Sequence, residues 1–566
     1  MSMMKRIFAL LLTVAMLVCT LAACNKPKEP EKTDPTTPEE TTPEVTTPTE
    51  PEFPTTPPKK ITSFKVTCGE SAVENFAATE LKWYLKEKDL SLSDDGYHIS
   101  IVIDTDVVKD GYRIVANENS LTLAGGNERG LVCGVYDFLE KYIGVRFYAA
   151  NTVIVNDEDV MIGGGVLENH VPVFEVLRNP WHPIDKLPEK DGGSVETENL
   201  TRIMALNTIA GTGSLTTCLS DPDVFTRALQ NVKNQLSAGN VTAIRFSPVT
   251  DYDLYCTCEK CAAVHAEEVN PSGNYIRFLN KLFEAVTVDY PDIRFEIVPR
   301  AYLEKAPAVT KPLEGISVCF DMDKCHISHP VTDQSCPVAV KFAESVKSWS
   351  EFCDNVRVEY RLTATKEYMP VFANLGALHG NMKFFAECGV ATINFTGNIV
   401  CPAGDFGELR IYLVSKLIQN PTMSEEEYYA YMDEFLKAFY GEGWTYIRKF
   451  INKIIELSAD GQQTPKDSPF ASITEEEYLA NEASFNLWWM QAETYAGDRA
   501  AFVKRSGFQW RYIKLCLRPN KTEALSLIAD AAVTFNDRVA WREAQWNVNT
   551  EATDFTLAPF EWVYKS

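Results

Sequence analysis

ISVCFDMD at residues 316–323 and VRVEY at residues 356–360, with an amphipathic stretch over 339–353 between them, decide how this chain folds. Each apolar run is short, rich in β-branched and aromatic residues, and carries acid at or near its end: Asp321 and Asp323 in the first, Glu359 in the second. The stretch between them repeats its apolar residues at helical spacing. A strand, a helix and a second strand is the unit from which α/β barrels are built.

Outward from this unit the pattern recurs. Strands are expected at 174–178, 207–210, 215–218, 243–247, 294–300 and 391–396, and helices at 224–235, 273–290, 375–388 and 406–417. Eight strands with helices between them predict an α/β fold, a (β/α)8 barrel of the TIM type over residues 170–422. The runs at 207–210 and 215–218 are the weakest, so the barrel is either complete or short of strands there. Residues 61–165 read as a small α+β domain. Its expected strands lie at 61–67, 97–103, 112–115, 121–123 and 145–148, its helices at 72–88 and after Gly125-Gly126-Asn127. Residues 423–566 carry only helical stripes, at 425–439, 444–457, 475–496, 498–517 and 523–543, and read as a structural helical domain.

The start of the chain is a targeting signal. Lys5-Arg6 precedes an apolar run over 7–21, and Leu21-Ala22-Ala23-Cys24 follows. This resembles the lipobox of bacterial lipoproteins, which implies a signal peptide over 1–23 and a lipid on Cys24. Residues 24–60 are almost wholly Pro, Thr, Glu and Lys and cannot bury apolar area, so they are expected to form a disordered tether. At ~3.1 Å per residue such a chain spans on the order of 100 Å. The net charge of −24 excludes nucleic acid and anionic membrane as partners. The expected location is extracytoplasmic, with membrane contact through the lipid anchor only.

Two stretches carry a family likeness. GGNERGLVCGVYDFL at 125–139, followed by GVRFY at 144–148, resembles the N-terminal domain of bacterial alpha-glucuronidases and beta-hexosaminidases. YCTCEKC at 255–261, SGNYIRFLN at 272–280 and YPD at 290–292 form the second, with His329-Pro330, Cys336 and DFGELR at 405–410. These are similar to the bacterial domain-of-unknown-function 4838 family over most of residues 61–460. The resemblance implies a glycosidase-like barrel acting on or binding carbohydrate. In the family's pattern the loop after the fourth strand ends in an acid that Asp251 matches, and the seventh strand holds an acid that Glu359 matches. Three departures stand out: Thr250 replaces Asn, the eighth strand ends Phe395-Thr396-Gly397 where a carboxylate and an amide are usual, and the segment between Asn207 and Cys218 is short where relatives carry a longer loop with a His.

Glycoside hydrolysis needs one carboxylic acid to protonate the leaving oxygen and a second group to attack, to activate water or to stabilise the cation. In a barrel these groups sit at the C-terminal ends of strands. Asp251 is the expected acid/base and Glu359 its partner. Arg300, Tyr302, Asp321, Asp323 and Tyr252 are expected to bind substrate, with Trp181 as the stacking platform. No cofactor is expected for catalysis. Cys256, Cys258 and Cys261 have metal-ligand spacing, and Cys325, on a neighbouring loop, would complete a structural Zn²⁺ site. Disulfides are the competing reading. Two functions remain: a glycoside hydrolase, or a non-catalytic glycan-binding lipoprotein on a degenerate glycosidase fold.

Overall fold

The computed structural model describes residues 55–149, 152–176, 201–205, 216–237, 241–248, 252–364, 370–396 and 405–535. Cys24, Trp181, Asp251 and the expected strand at 207–210 lie outside the described residues.

The N-terminal domain is one mixed sheet with two long helices. Its strands are β1 (Thr56–Lys60), β2 (Ser63–Cys68), β3 (Ser91–Leu92), β4 (Tyr97–Ile103), β5 (Tyr112–Ala116), β6 (Ser120–Gly125) and, after a separate hairpin of β7 (Val145–Ala149) and β8 (Thr152–Val155), β9 (Met161–His170). They lie in the order β1-β9-β5-β6-β4-β2-β3. β1 corrects an expectation. Composition predicts irregular chain through residue 60, yet Thr56–Lys60 pairs antiparallel with β9, Thr56 facing Gly164 and Lys60 facing Met161. It is a fully exposed edge strand, the one place in a sheet where Pro57 and Pro58 cost no ladder bond to a further strand.

The helix Glu128–Phe138 starts where the glycines predict. Asn127 Oδ1 caps it by accepting from the Gly130 N–H at 2.9 Å. A Cβ on Gly126 would strike the Val108 carbonyl, so the turn from β6 into the helix leaves no room for a side chain. Gly144, at φ +84°, closes the last turn.

The second sheet is wholly parallel. It contains β10 (Glu175–Val176), β11 (Thr201–Ala205), β12 (Ala243–Ser247), β13 (Arg294–Ile297), β14 (Ile316–Asp321), β15 (Val356–Arg361) and β16 (Thr392–Thr396), in the order β10-β16-β15-β14-β13-β12-β11. The first strand lies beside the last, as in a barrel, and the others follow in sequence order. β10 and β11 are not paired with each other among the described residues. Among the described residues the sheet has seven strands in barrel order. A strand that the sequence reading does not expect falls at Thr201–Ala205. It pairs directly with β12, Thr201 facing Ala243 and Ala205 facing Ser247, so no strand at 215–218 can lie between them. Thr216–Cys218 is irregular chain.

One face of this sheet is apolar. Ile244, Phe246, Phe295, Val318, Val358 and Ile393 are buried there. Helices Ser272–Thr287, Pro337–Ser350 and Leu378–Glu387 cover it, with Phe283 on Phe295 at 5.1 Å and Phe342 on Phe320 at 5.7 Å between ring centroids. As far as Phe535 the C-terminal part is helical as expected, except that the run at 498–517 breaks into a 3₁₀ turn and two helices, Ala500–Ser506 and Phe508–Leu517; the end of the run expected at 523–543 lies outside the described residues. Among the described residues no helix is long and apolar enough to cross a membrane.

Candidate active rim

Alternation along the strands puts every other residue on the face away from the helices, and there the chain is charged. Register brings Arg245 of β12 beside Glu296 of β13, and Asp321 of β14 beside Glu359 of β15, which in turn faces Asn394 of β16. Glu296, nearly inaccessible, takes Arg245 on Oε2 at 2.8 Å and Arg357 on Oε1 at 2.8 Å. Arg245 reaches on to Glu359 Oε1 at 2.9 Å, and Asn394 donates to Glu359 Oε2 at 2.8 Å. Burial opposes the charge on Arg245, but Cys319, Glu296 and Glu359 around it outweigh that and raise its pKa. Nearer the strand ends, Arg361 grips Asp321 with two bonds, at 3.1 and 2.8 Å. Asp323, in the 3₁₀ turn after β14, meets Arg300 at 3.4 Å and also Lys466.

Among the described residues the rim gathers five cations, Arg245, Arg300, Arg357, Arg361 and Lys466, against four carboxylates, Glu296, Glu359, Asp321 and Asp323. A small recess lies beside it, lined by Met322, Cys325, His326, Tyr360, Arg361 and Asn381 among others.

Of the residues expected from sequence, Glu359, Asp321, Asp323 and Arg300 come together here. Tyr302 does not reach them through any contact; its ring packs against Tyr255 at 5.5 Å and Tyr275 at 6.3 Å, and burial raises its pKa. Tyr252 is 75% exposed. Phe395 stands in the sequence near where a catalytic carboxylate is usual, but register moves it off the rim. It faces Tyr360 on the helix-covered side, and Asn394 and Thr396 share the face of Glu359. DFGELR is scaffold. Arg410, buried, donates to Asp405 Oδ2 at 2.9 Å and to Asn374 Oδ1 at 2.8 Å, and Glu408 pairs with Arg505. Sequence reasoning missed Arg245, Glu296, Arg357, Arg361 and Lys466. Period-two reading of VRVEYR marks Arg357, Glu359 and Arg361 as one face. Nothing in the sequence signals Lys466, which arrives from a loop between two C-terminal helices.

The cysteines are placed differently from expectation too. No disulfide joins any of them among the described residues. Cys256, Cys258 and Cys261 group with Cys218, all four sulfurs lying within 4.8 Å of one another. Cys325 is elsewhere. The 3₁₀ turn Met322–Lys324 closes through the Cys325 N–H and turns the residue into the core beside the recess. A second group, His326, His329 and Cys336, is also mutually close, but Cys336 is engaged, 3.3 Å from His326 Nδ1 and accepting from the Ala339 N–H as a helix cap.

The strand order and the charged rim define a barrel-type α/β protein with its candidate site at the C-terminal ends of parallel strands. Residues 205–452 match the model of the family described as domain of unknown function (DUF4838), the family that the cysteine motif resembles. No curated protein matches the chain. Among solved structures, CpGH84B is similar at 11% identity and a TM-score of 0.40, over 86% of this chain and 93% of that one. A GH138 enzyme targeting pectin rhamnogalacturonan II has 11% identity and a TM-score of 0.37, over 86% and 76%. The GH20 beta-N-acetylhexosaminidase from Streptomyces coelicolor A3(2) has 12% identity and a TM-score of 0.34, over 68% and 95%. The fold assignment rests on the strand order described above and not on these scores.

Proposed function

We propose that the chain is a surface-anchored lipoprotein whose barrel rim takes a poly- or oligosaccharide and hydrolyses its glycosidic bonds. The observation that carries this reading is the convergence of Asp321, Asp323 and Glu359 at the ends of neighbouring parallel strands, interleaved with Arg300 and Arg361. Guanidinium groups in that position are suited to sugar hydroxyls and to uronate carboxylates. Glu359 accepts on both oxygens, which suits a nucleophile or a stabiliser of the oxocarbenium-like transition state and not a proton donor. The donor in this reading is Asp251, which follows β12 in the sequence. Cys24 carries the lipid and holds the body outside the cell.

One observation favours a second reading, glycan binding without turnover. Each described rim carboxylate already has a cationic partner, as a static binding surface requires. Incubation with arrayed oligosaccharides separates the two. Hydrolysis predicts release of reducing sugar that falls roughly 10²–10⁴-fold in both Asp251→Asn and Glu359→Gln, with folding unchanged. Tight retention without product supports the second reading. A chain that neither binds nor cleaves any glycan tested, though folded, defeats both.

A further inference from the structure

We infer that Cys218, Cys256, Cys258 and Cys261 form a tetrathiolate site for one Zn²⁺ ion that staples the segment before helix Pro222–Ser237 to the loop after β12. The sulfurs come from two separate places in the chain. Cys218 precedes the helix; Cys256 leads into helix Glu259–Glu267, Cys258 is its N-cap and Cys261 lies in its first turn. Cys218 Sγ is 3.7 Å from Cys258 Sγ and 3.7 Å from Cys261 Sγ. Four thiolates about 2.3 Å from a central zinc stand at the corners of a tetrahedron whose edge is about 3.8 Å. A disulfide would need two sulfurs at about 2.05 Å. The two Cys218 separations match the first figure and exceed the second by more than an ångström.

The surroundings suit a metal held for structure. Cys261 is buried and Cys258 exposed, so the group lies at the surface with one side sheltered. Ser220 Oγ lies 3.2 Å from Cys261 Sγ, the kind of outer hydrogen bond that orients a ligating sulfur. Four thiolates fill every position of a tetrahedral ion, so the site has no vacancy for water or substrate and supplies no hydrolysis. Loading is a proton exchange: Zn²⁺ and four thiols give the tetrathiolate complex and four protons, with no change of oxidation state. The site does not depend on the glycan reading. Its place matters to that reading all the same, because Cys256 comes shortly after Asp251 in the sequence.

Metal analysis of the full-length chain, purified without chelators, tests this. About one zinc per chain is expected. It should fall roughly tenfold or more in Cys218→Ser and in Cys258→Ser and stay unchanged in Cys325→Ser. Cobalt(II) exchanged into the wild-type chain should give the visible bands of a tetrahedral ion with strong thiolate charge transfer. That readout needs no variant to fold. Zinc retained in Cys218→Ser, or lost in Cys325→Ser, overturns the ligand set. A wild-type chain that takes up neither zinc nor cobalt with its thiols reduced, or that carries a disulfide within these four residues, overturns the site.

Discussion

Glu296 has a guanidinium on each carboxylate oxygen and almost no contact with water, so its two partners are not interchangeable with neutral residues. Arg357→Met removes one of them and leaves a buried carboxylate half-compensated. Urea denaturation should show a loss of about 3–5 kcal/mol, the usual result of breaking a buried ion pair from one side. Glu359→Gln keeps an acceptor for Arg245 and should cost well under half of that, so the activity test is not confounded by unfolding. A second change belongs to His170. It stacks on Tyr112 at 4.9 Å, and burial followed by the nearby Lys141 lowers its pKa from the ordinary value of 6.5. A lowered folded pKa means that the unfolded chain binds the proton first as pH falls. Stability is therefore full above about 6.5 and declines below it, and His170→Gln should flatten that decline in a melting-temperature series. At this scale the sequence is legible wherever a residue's role follows from its neighbours along the strand. Glu359, Asp321 and Asp323 stand at strand ends by inspection. Arg245 and Glu296 lie on strands far apart in the chain, and only register makes them a pair. Phe395 misleads for the same reason: without a pairing partner, a strand residue has no known side.

Elements are legible where turn chemistry marks them. Gly125-Gly126-Asn127 announces both the end of β6 and the capped helix after it. Because Asn127 also donates to Asp110 Oδ1 at 2.8 Å, it holds the cap and the preceding turn together. Asn127→Ala should lower stability by about 1–2 kcal/mol, read from the denaturation midpoint. The strands at 243–247, 316–321 and 356–360 show in their apolar runs because both faces are screened from water, one by helices and one by paired charge. The strand at Thr201–Ala205 does not show. Its sequence, TRIMA, has two polar residues in five and no flanking turn signal, and it counts as a strand because β12 offers it an edge. β1 is hidden because composition rules it out, while a sheet edge tolerates what a sheet interior does not.

For the whole molecule, the three-part division is visible in the change of periodicity from α+β to alternating α/β to helix alone. The contacts between parts are not. Arg146 and Tyr148 of the N-terminal domain both donate to Glu434, and Glu140 pairs with Lys416, so the first domain is fastened to the helices that follow the barrel. Sequence has no means to show such long-range pairs. The anchor makes its own prediction at this scale. Replacing Cys24 with Ser should move the protein from the membrane fraction to the medium in a fractionation experiment, and retention on the membrane contradicts lipidation at that site.

Lys466 has a further consequence for how the chain is made. Synthesis finishes the last barrel strand at Thr396, yet the cation that joins Arg300 on Asp323 is encoded well beyond it. Asp323 therefore has its full set of counter-charges only once the chain beyond the barrel has been made and folded. The helical tail is thus part of the mouth's electrostatics and not an appendage to it.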